Sequence, residues 1–348
     1  MINVDTVIWA FCLASTSVAL VSYFGLGKQK VGANFNVGPQ TIHRWSVSRL
    51  GGTGIFFSLL CVSLFDYRLS VLMPTFLIAT TPVLLAGIVE DVTGNVSAQI
   101  RFFFSVLSGL IFCLLSGYSI SGIGIEEVKF VFEFRFLSIS LTVIAIASLI
   151  NAMNIIDGLN GLASGCFGMI AFSIAVIAMN VTDIELALNA FVMFAAVAGF
   201  FVWNYPSGRV FLGDGGAYLL GFLGAGLAVL LPERNPTVSP YFSLLIISYP
   251  FYELMRSVVR RAVKTDQRIF KPDDQHLHSI VFKVISRRTS FQTWAQNGIA
   301  ASISLLFPLG TSIWAILFYS DWVFLVAGCF ALVVSYEVFT FVLKKYYL

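Results

Sequence analysis

The chain has 348 residues, of which 58% are hydrophobic and only 11% are charged, and its mean hydropathy is +0.88. Soluble domains are about 25% charged, so this composition excludes a soluble globular protein and predicts an integral membrane protein. The five cysteines all fall in apolar segments without paired spacing, which predicts neither disulfides nor a zinc site.

Apolar segments long enough to cross a bilayer, at about 20 residues per helix, recur along the whole chain. In chain order they are residues 4–26, 50–66, 71–89, 101–118, 136–150, 161–180, 186–203, 215–232, 240–259, 297–319 and 322–343. They are too long and continuous for the strands of an outer-membrane barrel. We therefore predict an all-α polytopic membrane protein with about eleven transmembrane helices, ten being the alternative count, in a single domain over residues 1–348.

The basic residues predict how these helices are oriented. If the loops alternate between the two sides, starting outside, 17 of the 21 Lys and Arg residues lie inside, as the positive-inside rule requires. The N-terminus is then periplasmic and the C-terminal KKYYL cytoplasmic. The first segment is expected to be a retained helix, because the charge before it is Asp5 rather than Lys or Arg. Outside, residues 126–135 alternate apolar and charged residues and predict a small hairpin.

Two inner helix ends carry isolated carboxylates. GIVEDVTG (87–94) contains Glu90 and Asp91, which diverge by about 100° on a helix and can face different partners. VFLGDGGAYLLG (210–221) places Asp214 between glycines where a helix begins, so a ligand can approach free N–H groups. The alternatives are solvated acids at a helix end and a simple N-cap.

Two further inner segments combine polar groups unusual for a membrane protein. In NAMNIIDGLNG, Asn151, Asn154 and Asp157 share one helical flank and could line a cavity, although interhelical hydrogen bonding is an alternative. The basic loop 256–292 would be attracted to anionic lipid headgroups. Its QHLHS stretch adds His276 and His278, which could donate to phosphate oxygens or bind a metal.

Carboxylates, arginines and histidines on one face suggest a divalent cation that holds a diphosphate. Magnesium is typically bound by one or two carboxylates together with substrate phosphates, and phosphoryl transfer needs positioning and charge neutralisation. A site at the membrane would let a lipid phosphate attack a soluble nucleotide-linked donor. The competing classes are a transporter, for which neither internal repeats nor mid-membrane polar groups are evident, and a non-catalytic scaffold of the same fold.

Five motifs occur in the order HRWSVSRLGG, the ED pair, NAMNIIDGLNGL, FVWNYPSGRVFLGDGG and RR…PDDQHLHS. In this order the chain resembles the polyprenyl-phosphate N-acetylhexosamine-1-phosphate transferases, relatives of the phospho-MurNAc-pentapeptide translocase. The translocase branch has three consecutive histidines where this chain has HLHS, which favours the N-acetylhexosamine branch.

The resemblance implies an enzyme of the bacterial cytoplasmic (inner) membrane with its active-site cleft on the cytoplasmic face. It would transfer a sugar-1-phosphate from a UDP-N-acetylhexosamine to undecaprenyl phosphate and release UMP, initiating O-antigen, capsule or a related polysaccharide. Mg²⁺ would be required, with Mn²⁺ as a substitute. Membrane lipids are expected partners, and nucleic acid is not. The resemblance leaves open whether the protein forms a homodimer.

The resemblance also implies site roles. Asp214 would be the principal magnesium ligand, and Asp91 a second ligand and the acid that deprotonates or orients the lipid phosphate. Asp157 and Asn154 would contact the nucleotide sugar or its metal-bound diphosphate, and Glu90 would complete the catalytic acids. The other expected substrate-binding residues are Asn204 and Phe211 at the uracil, Arg261, His276 and His278 at phosphates, and His43 and Arg49 near the same cleft.

Three positions depart from the family pattern. Glu90 replaces the first aspartate of the usual pair, Asn160 replaces the second aspartate of D-G-x-D-G, and Ser279 replaces a further histidine. Our hypothesis is a single in-line displacement at the β-phosphorus. A two-step route through an aspartyl-phosphate on Asp91 or Asp157 is the alternative.

Overall fold

The computed structural model describes residues 4–24, 47–69, 71–124, 127, 129–263 and 275–347. Over these residues the regular secondary structure is helical, which confirms the all-α prediction. The α-helices are α1 (Val4–Phe24), α2 (Gly51–Phe65), α3 (Leu72–Thr93), α4 (Ala98–Ser116), α5 (Lys129–Glu133), α6 (Arg135–Ile156), α7 (Leu162–Asn180), α8 (Ile184–Asn204), α9 (Gly213–Arg234), α10 (Pro240–Ile246), α11 (Ser248–Val263), α12 (Leu277–Arg288), α13 (Thr293–Leu317) and α14 (Trp322–Tyr347).

The helix lengths support a polytopic membrane protein. Within the described ranges, nine helices are long and apolar enough to cross a membrane, and α10 and α11 together form a tenth candidate with a 70° bend. The apolar helix α2 has 15 residues and is shorter than a full span. The described helices therefore give nine or ten candidate spans, which agrees with the alternative count of ten; the predicted eleven would also require α2. The orientation of the bundle in the membrane stays a prediction.

Two local predictions differ from the structure. The predicted hairpin is wrong: the described part of that segment contains the short helix α5. An isolated pair of strands is marginal in water, whereas a helical turn satisfies its backbone groups locally. The described part of the predicted basic loop 256–292 is mostly helical, because α11 continues to Val263 and α12 covers Leu277–Arg288.

Helix α9 lies at the centre of the bundle, with 18 of its 22 residues buried. Its N-terminal glycines allow unusually close approach of other backbones. A Cβ on Gly87 of α3 would lie 2.4 Å from Cα of Gly215, and one on Gly52 of α2 would lie 2.2 Å from Cα of Gly216. Small residues at helix interfaces permit such packing in membrane proteins. The first turn of α9 is therefore held between the start of α2 and the end of α3.

Candidate functional site

Asp91, in the last turn of α3, caps the N-terminus of α9. Its Oδ1 accepts a hydrogen bond from the backbone N–H of Asp214 at 2.9 Å, and its Oδ2 accepts one from Gly215 at 3.0 Å. The residue is only 2% exposed. The first backbone N–H groups of a helix have no intrahelical partner and favour negative charge, so the carboxylate is stabilised there. Asp91 thereby fixes the backbone that carries Asp214.

Asp214 lies between two guanidinium groups. Its Oδ2 accepts a hydrogen bond from Nη1 of Arg101 at 2.7 Å, and its Oδ1 lies 3.4 Å from Nη2 of Arg49. Nε of Arg49 also lies 3.4 Å from Oδ1 of Asp91, so one arginine contacts both carboxylates. The structure thus brings Arg49, Asp91 and Asp214 together.

Arg101 is a site residue to which the sequence analysis gave no role. It lies in the first turn of α4, directly after the loop that follows Glu90 and Asp91. That position was the available signal, since helices joined by a short loop keep their adjoining ends together. The side chain is partly buried, which strengthens its pairing with Asp214 relative to a surface ion pair.

Glu90 closes the turn between α3 and α4. Its Oε2 accepts a hydrogen bond from the backbone N–H of Val96 at 2.7 Å, while its Oε1 lies 3.9 Å from Nη1 of Arg101. The glutamate that departs from the family pattern therefore stabilises the loop that positions Arg101.

Asp157 lies at the end of α6 and joins the same electrostatic cluster. Its backbone N–H donates to the carbonyl of Asn154, one turn earlier in the helix and half-buried. Burial raises the pKa of the Asp157 carboxyl well above its ordinary value, and the nearby charge of Asp214 adds to that shift. The charge of Arg49 opposes this rise of the Asp157 pKa, and the charge of Asp91 adds to it, so the four side chains interact electrostatically.

The two histidines at the start of α12 lie against the loop that follows Asp157. Their rings stack, with centroids 5.5 Å apart and planes inclined by 3°. A Cβ on Gly158 would lie only 2.5 Å from Nε2 of His278, so glycine is required for this contact. Burial lowers the pKa of His278 to about 4, so its imidazole is neutral near pH 7. The structure therefore brings His276 and His278 to the loop that begins with Asp157.

The amide of Asn204 is engaged within the fold. Its Oδ1 accepts from the backbone N–H of Gly161 at 2.6 Å, and its Nδ2 donates to the carbonyl of Val210 at 2.8 Å. These two hydrogen bonds link the loop before α7 to the loop before α9. Its predicted contact with uracil stays a prediction.

Asn160, the second departure from the family pattern, uses its side-chain Nδ2, a donor that an aspartate lacks. Its Nδ2 donates to the carbonyl of Pro206 at 3.1 Å, and its backbone N–H donates to Oδ1 of Asn297 at 2.8 Å. The residue is 5% exposed. A carboxylate at this position could not donate to Pro206 and would place two acceptors together.

Asn160→Asp is accordingly expected to lower the stability of the protein by about 1–3 kcal/mol, since it leaves a buried acceptor unpaired and buries a charge. Thermal unfolding in detergent would measure the change. Asn180→Asp adds the same charge at the exposed end of α7 and is expected to change stability by about 0.5 kcal/mol or less. Equal unfolding temperatures for Asn160→Asp and the wild type would show that the bond to Pro206 contributes nothing.

Three predicted substrate-binding residues remain, namely Phe211, Arg261 and His43. The backbone of Phe211 links the segment before α2 to α9: its N–H donates to the carbonyl of Ser48, and its carbonyl accepts from Gly51. Arg261 is exposed on α11. His43 falls outside the described residues, so its predicted role stays a prediction.

The carboxylate oxygens at the site could supply some of the ligands of a hard divalent cation. Among the described residues, no three His, Cys, Asp or Glu side chains form a group that could hold a metal. The side chain of Asp214 is 16% exposed, against 1% for Asp91. Magnesium commonly takes one or two carboxylates and completes its shell with phosphates and water. Asp214 therefore fits the ligand role better than Asp91, which is buried and whose two oxygens hold the first turn of α9 in place.

Comparison with known proteins gives consistent matches. Residues 73–232, which include Asp91, Asp157 and Asp214, match the sequence model of glycosyl transferase family 4. The chain is 26% identical over 292 residues to the "Probable undecaprenyl-phosphate N-acetylglucosaminyl 1-phosphate transferase" of Bacillus subtilis, covering 83% of this chain and 81% of the relative. It is 29% identical over 269 residues to the "Undecaprenyl-phosphate alpha-N-acetylglucosaminyl 1-phosphate transferase" of Thermotoga maritima, covering 77% of each.

A third relative has the same name as the Thermotoga protein. This Yersinia pestis protein is 24% identical over 288 residues, covering 81% of this chain and 77% of the relative. The matches extend over most of each chain and agree with the resemblance drawn from the five motifs. Over residues 73–232 the chain is therefore similar to glycosyl transferase family 4, and over most of its length it is similar to these polyprenyl-phosphate sugar-phosphate transferases.

Proposed function

We propose that the protein transfers an N-acetylhexosamine-1-phosphate from a UDP-sugar to undecaprenyl phosphate and releases UMP. The observation that carries this proposal is Asp214 at the start of α9, paired with Arg49 and Arg101. Paired guanidinium groups bind phosphate oxygens well, and a carboxylate between them can hold a cation against the same phosphates. The relatives' names support the transfer of N-acetylglucosamine 1-phosphate and the lipid acceptor.

The proposed cofactor is Mg²⁺, with Mn²⁺ as a substitute and Asp214 as the residue that holds it. Bound there, the cation would neutralise charge on the diphosphate of the donor. Arg49 and Arg101 would bind phosphate oxygens, and Asp91 would keep the first turn of α9 in place through its two backbone hydrogen bonds.

The proposed chemistry is one displacement. An oxygen of the lipid phosphate forms a bond to the β-phosphorus of the donor, and the bond from that phosphorus to the bridging oxygen breaks, so that UMP leaves with the bridging oxygen. Asp157, whose pKa is raised by burial, would give a proton to or take one from a phosphate oxygen. Asp91 would act as a proton-transfer group in direct displacement, whereas the covalent route forms a phosphorylated aspartate. Trapping of a phosphorylated aspartate would distinguish the two routes.

The polytopic bundle suits the lipid acceptor, because its apolar helices would hold the site at the bilayer surface where a polyprenyl phosphate is presented. We place the protein in the bacterial cytoplasmic membrane with the site on the cytoplasmic side, where nucleotide sugars are made. The product would begin a lipid-linked polysaccharide such as O-antigen or capsule.

A transfer assay tests the proposal. Purified protein would be incubated with undecaprenyl phosphate, Mg²⁺ and UDP-N-acetylhexosamines labelled in the sugar, and the label in the organic phase would be measured. We expect label to enter the lipid with at least one donor. If no donor in the panel is used and none binds, the non-catalytic scaffold replaces the enzyme as the better account.

A further inference from the structure

Glu253, which the proposed chemistry does not use, is a fully buried carboxylate on α11. A buried charge in a membrane protein is costly unless it is hydrogen-bonded, so its partners indicate its purpose. Oε1 of Glu253 accepts from the hydroxyl of Tyr336 at 2.8 Å and from the backbone N–H of Leu277 at 3.0 Å. Its Oε2 lies 2.8 Å from Nδ1 of His276.

These contacts join three helices at one point. Leu277 is the first residue of α12, so Glu253 accepts from one of the N–H groups that a helix N-terminus leaves free. Tyr336 attaches the same carboxylate to α14. Glu253 therefore positions α12 in the way that Asp91 positions α9, with a carboxylate from a neighbouring helix.

The division of donors between the two oxygens sets the tautomer of His276. A carboxylate only accepts hydrogen bonds, so Nδ1 of His276 must carry the proton that points to Oε2 of Glu253. In this tautomer Nε2 of His276 carries the lone pair and can accept a hydrogen bond. Stacking against His276 holds His278, and His278 in turn lies against Gly158, next to Asp157.

We infer that Glu253 is a positioning residue that holds His276 as the Nδ1–H tautomer and, through the stacked pair, fixes both histidines beside the Asp157 loop. The inference rests on the proposed function in one respect: the histidines then contact phosphate oxygens of the substrates. The tautomer itself depends only on the geometry of Glu253, His276, Leu277 and Tyr336.

Glu253→Gln is the informative variant because it preserves the shape of the site. The amide oxygen can take the place of Oε1 and continue to accept from Leu277 and Tyr336. The amide nitrogen then faces Nδ1 of His276 and donates to it, which forces the proton of His276 onto Nε2. The variant thus reverses the tautomer while retaining the other two hydrogen bonds.

Glu337→Gln is the matched control. Glu337 lies on α14, next to Tyr336 in the sequence. Its Oε1 lies 2.7 Å from the hydroxyl of Tyr252 and 2.9 Å from Nε of Arg256. The change removes a charge near Glu253 without touching either histidine. We expect the control to keep the tautomer of His276 and the wild-type rate.

Nitrogen NMR of protein labelled in its histidines measures the tautomer directly in detergent, without substrates. The chain contains only three histidines, so His276→Gln assigns the relevant signal. We expect Nδ1–H for His276 in the wild type and Nε2–H in Glu253→Gln. A wild-type signal from Nε2–H, or an unchanged signal in Glu253→Gln, would overturn the inference.

Release of UMP from UDP-GlcNAc in the presence of undecaprenyl phosphate tests the consequence for the reaction. We expect Glu253→Gln to be slower by about 10–100-fold, as when other histidine-orienting carboxylates are replaced. A reversed tautomer with a wild-type rate would refute the positioning role. If the wild type transfers no sugar phosphate from any donor, the proposed function fails, whereas the NMR result still decides whether Glu253 sets the tautomer.

Discussion

The Asp214→Asn variant is expected to release UMP at least about 100-fold more slowly than the wild type, a loss on the order of 3 kcal/mol in transition-state stabilisation. An amide is a weaker ligand than a carboxylate for a hard cation, and it cannot pair with the guanidinium groups of Arg49 and Arg101. Initial rates at saturating donor and acceptor, over a series of Mg²⁺ concentrations, would measure the loss.

Asp66→Asn is the matched control for Asp214→Asn. Asp66 also pairs with an arginine, since its Oδ1 accepts from Nε of Arg68 at 2.9 Å, but it lies at the other end of α2 from the site. We expect this variant to lose some stability and to keep the turnover per folded molecule. If Asp214→Asn kept more than about a tenth of the wild-type rate, Asp214 would not be the principal metal ligand.

Gly213→Ala is expected to disrupt the site and to destabilise the fold by about 3 kcal/mol or more. Gly213 has φ of +77°, a conformation that costs a residue with a Cβ about 1–2 kcal/mol. The added Cβ would also lie 1.9 Å from the carbonyl oxygen of Arg49 and 2.6 Å from Oδ2 of Asp91. The chain would have to shift just where Arg49, Asp91 and Asp214 meet.

Gly224→Ala on the same helix provides the comparison for Gly213→Ala. A Cβ on Gly224 would meet its nearest neighbour, the ring of Phe167, at 3.6 Å, which is an ordinary contact. Thermal unfolding and the rate of UMP release would be measured for both variants. We expect only Gly213→Ala to lose stability and rate; equal behaviour of the two would contradict the close packing at the start of α9.

The long apolar helices could be predicted from the sequence because hydropathy over about 20 residues reports membrane insertion directly. The break between α10 and α11 could not, because segment 240–259 reads as one continuous apolar run. The clustering of Asp91, Asp157 and Asp214 was predictable from their positions at helix ends on one side.

The partners of individual polar residues were less predictable. The capping of α9 by Asp91 and the pairing of Arg101 with Asp214 join residues more than 100 positions apart, and no local pattern encodes such contacts. Likewise, Glu253 stands alone in an apolar segment, and only the fold brings it to His276. Sequence patterns identified the residues of the candidate site, while tertiary packing determines which of their polar groups are already hydrogen-bonded.

The most direct measurement of the central claim is UMP release by the purified protein with a panel of UDP-N-acetylhexosamines, with undecaprenyl phosphate and Mg²⁺ each supplied or omitted. The proposed reaction predicts UMP only when donor, lipid phosphate and divalent cation are all present, with loss of the signal in Asp214→Asn. Release of UMP at the same rate without the lipid phosphate or without the cation would contradict transfer at the Asp214 site.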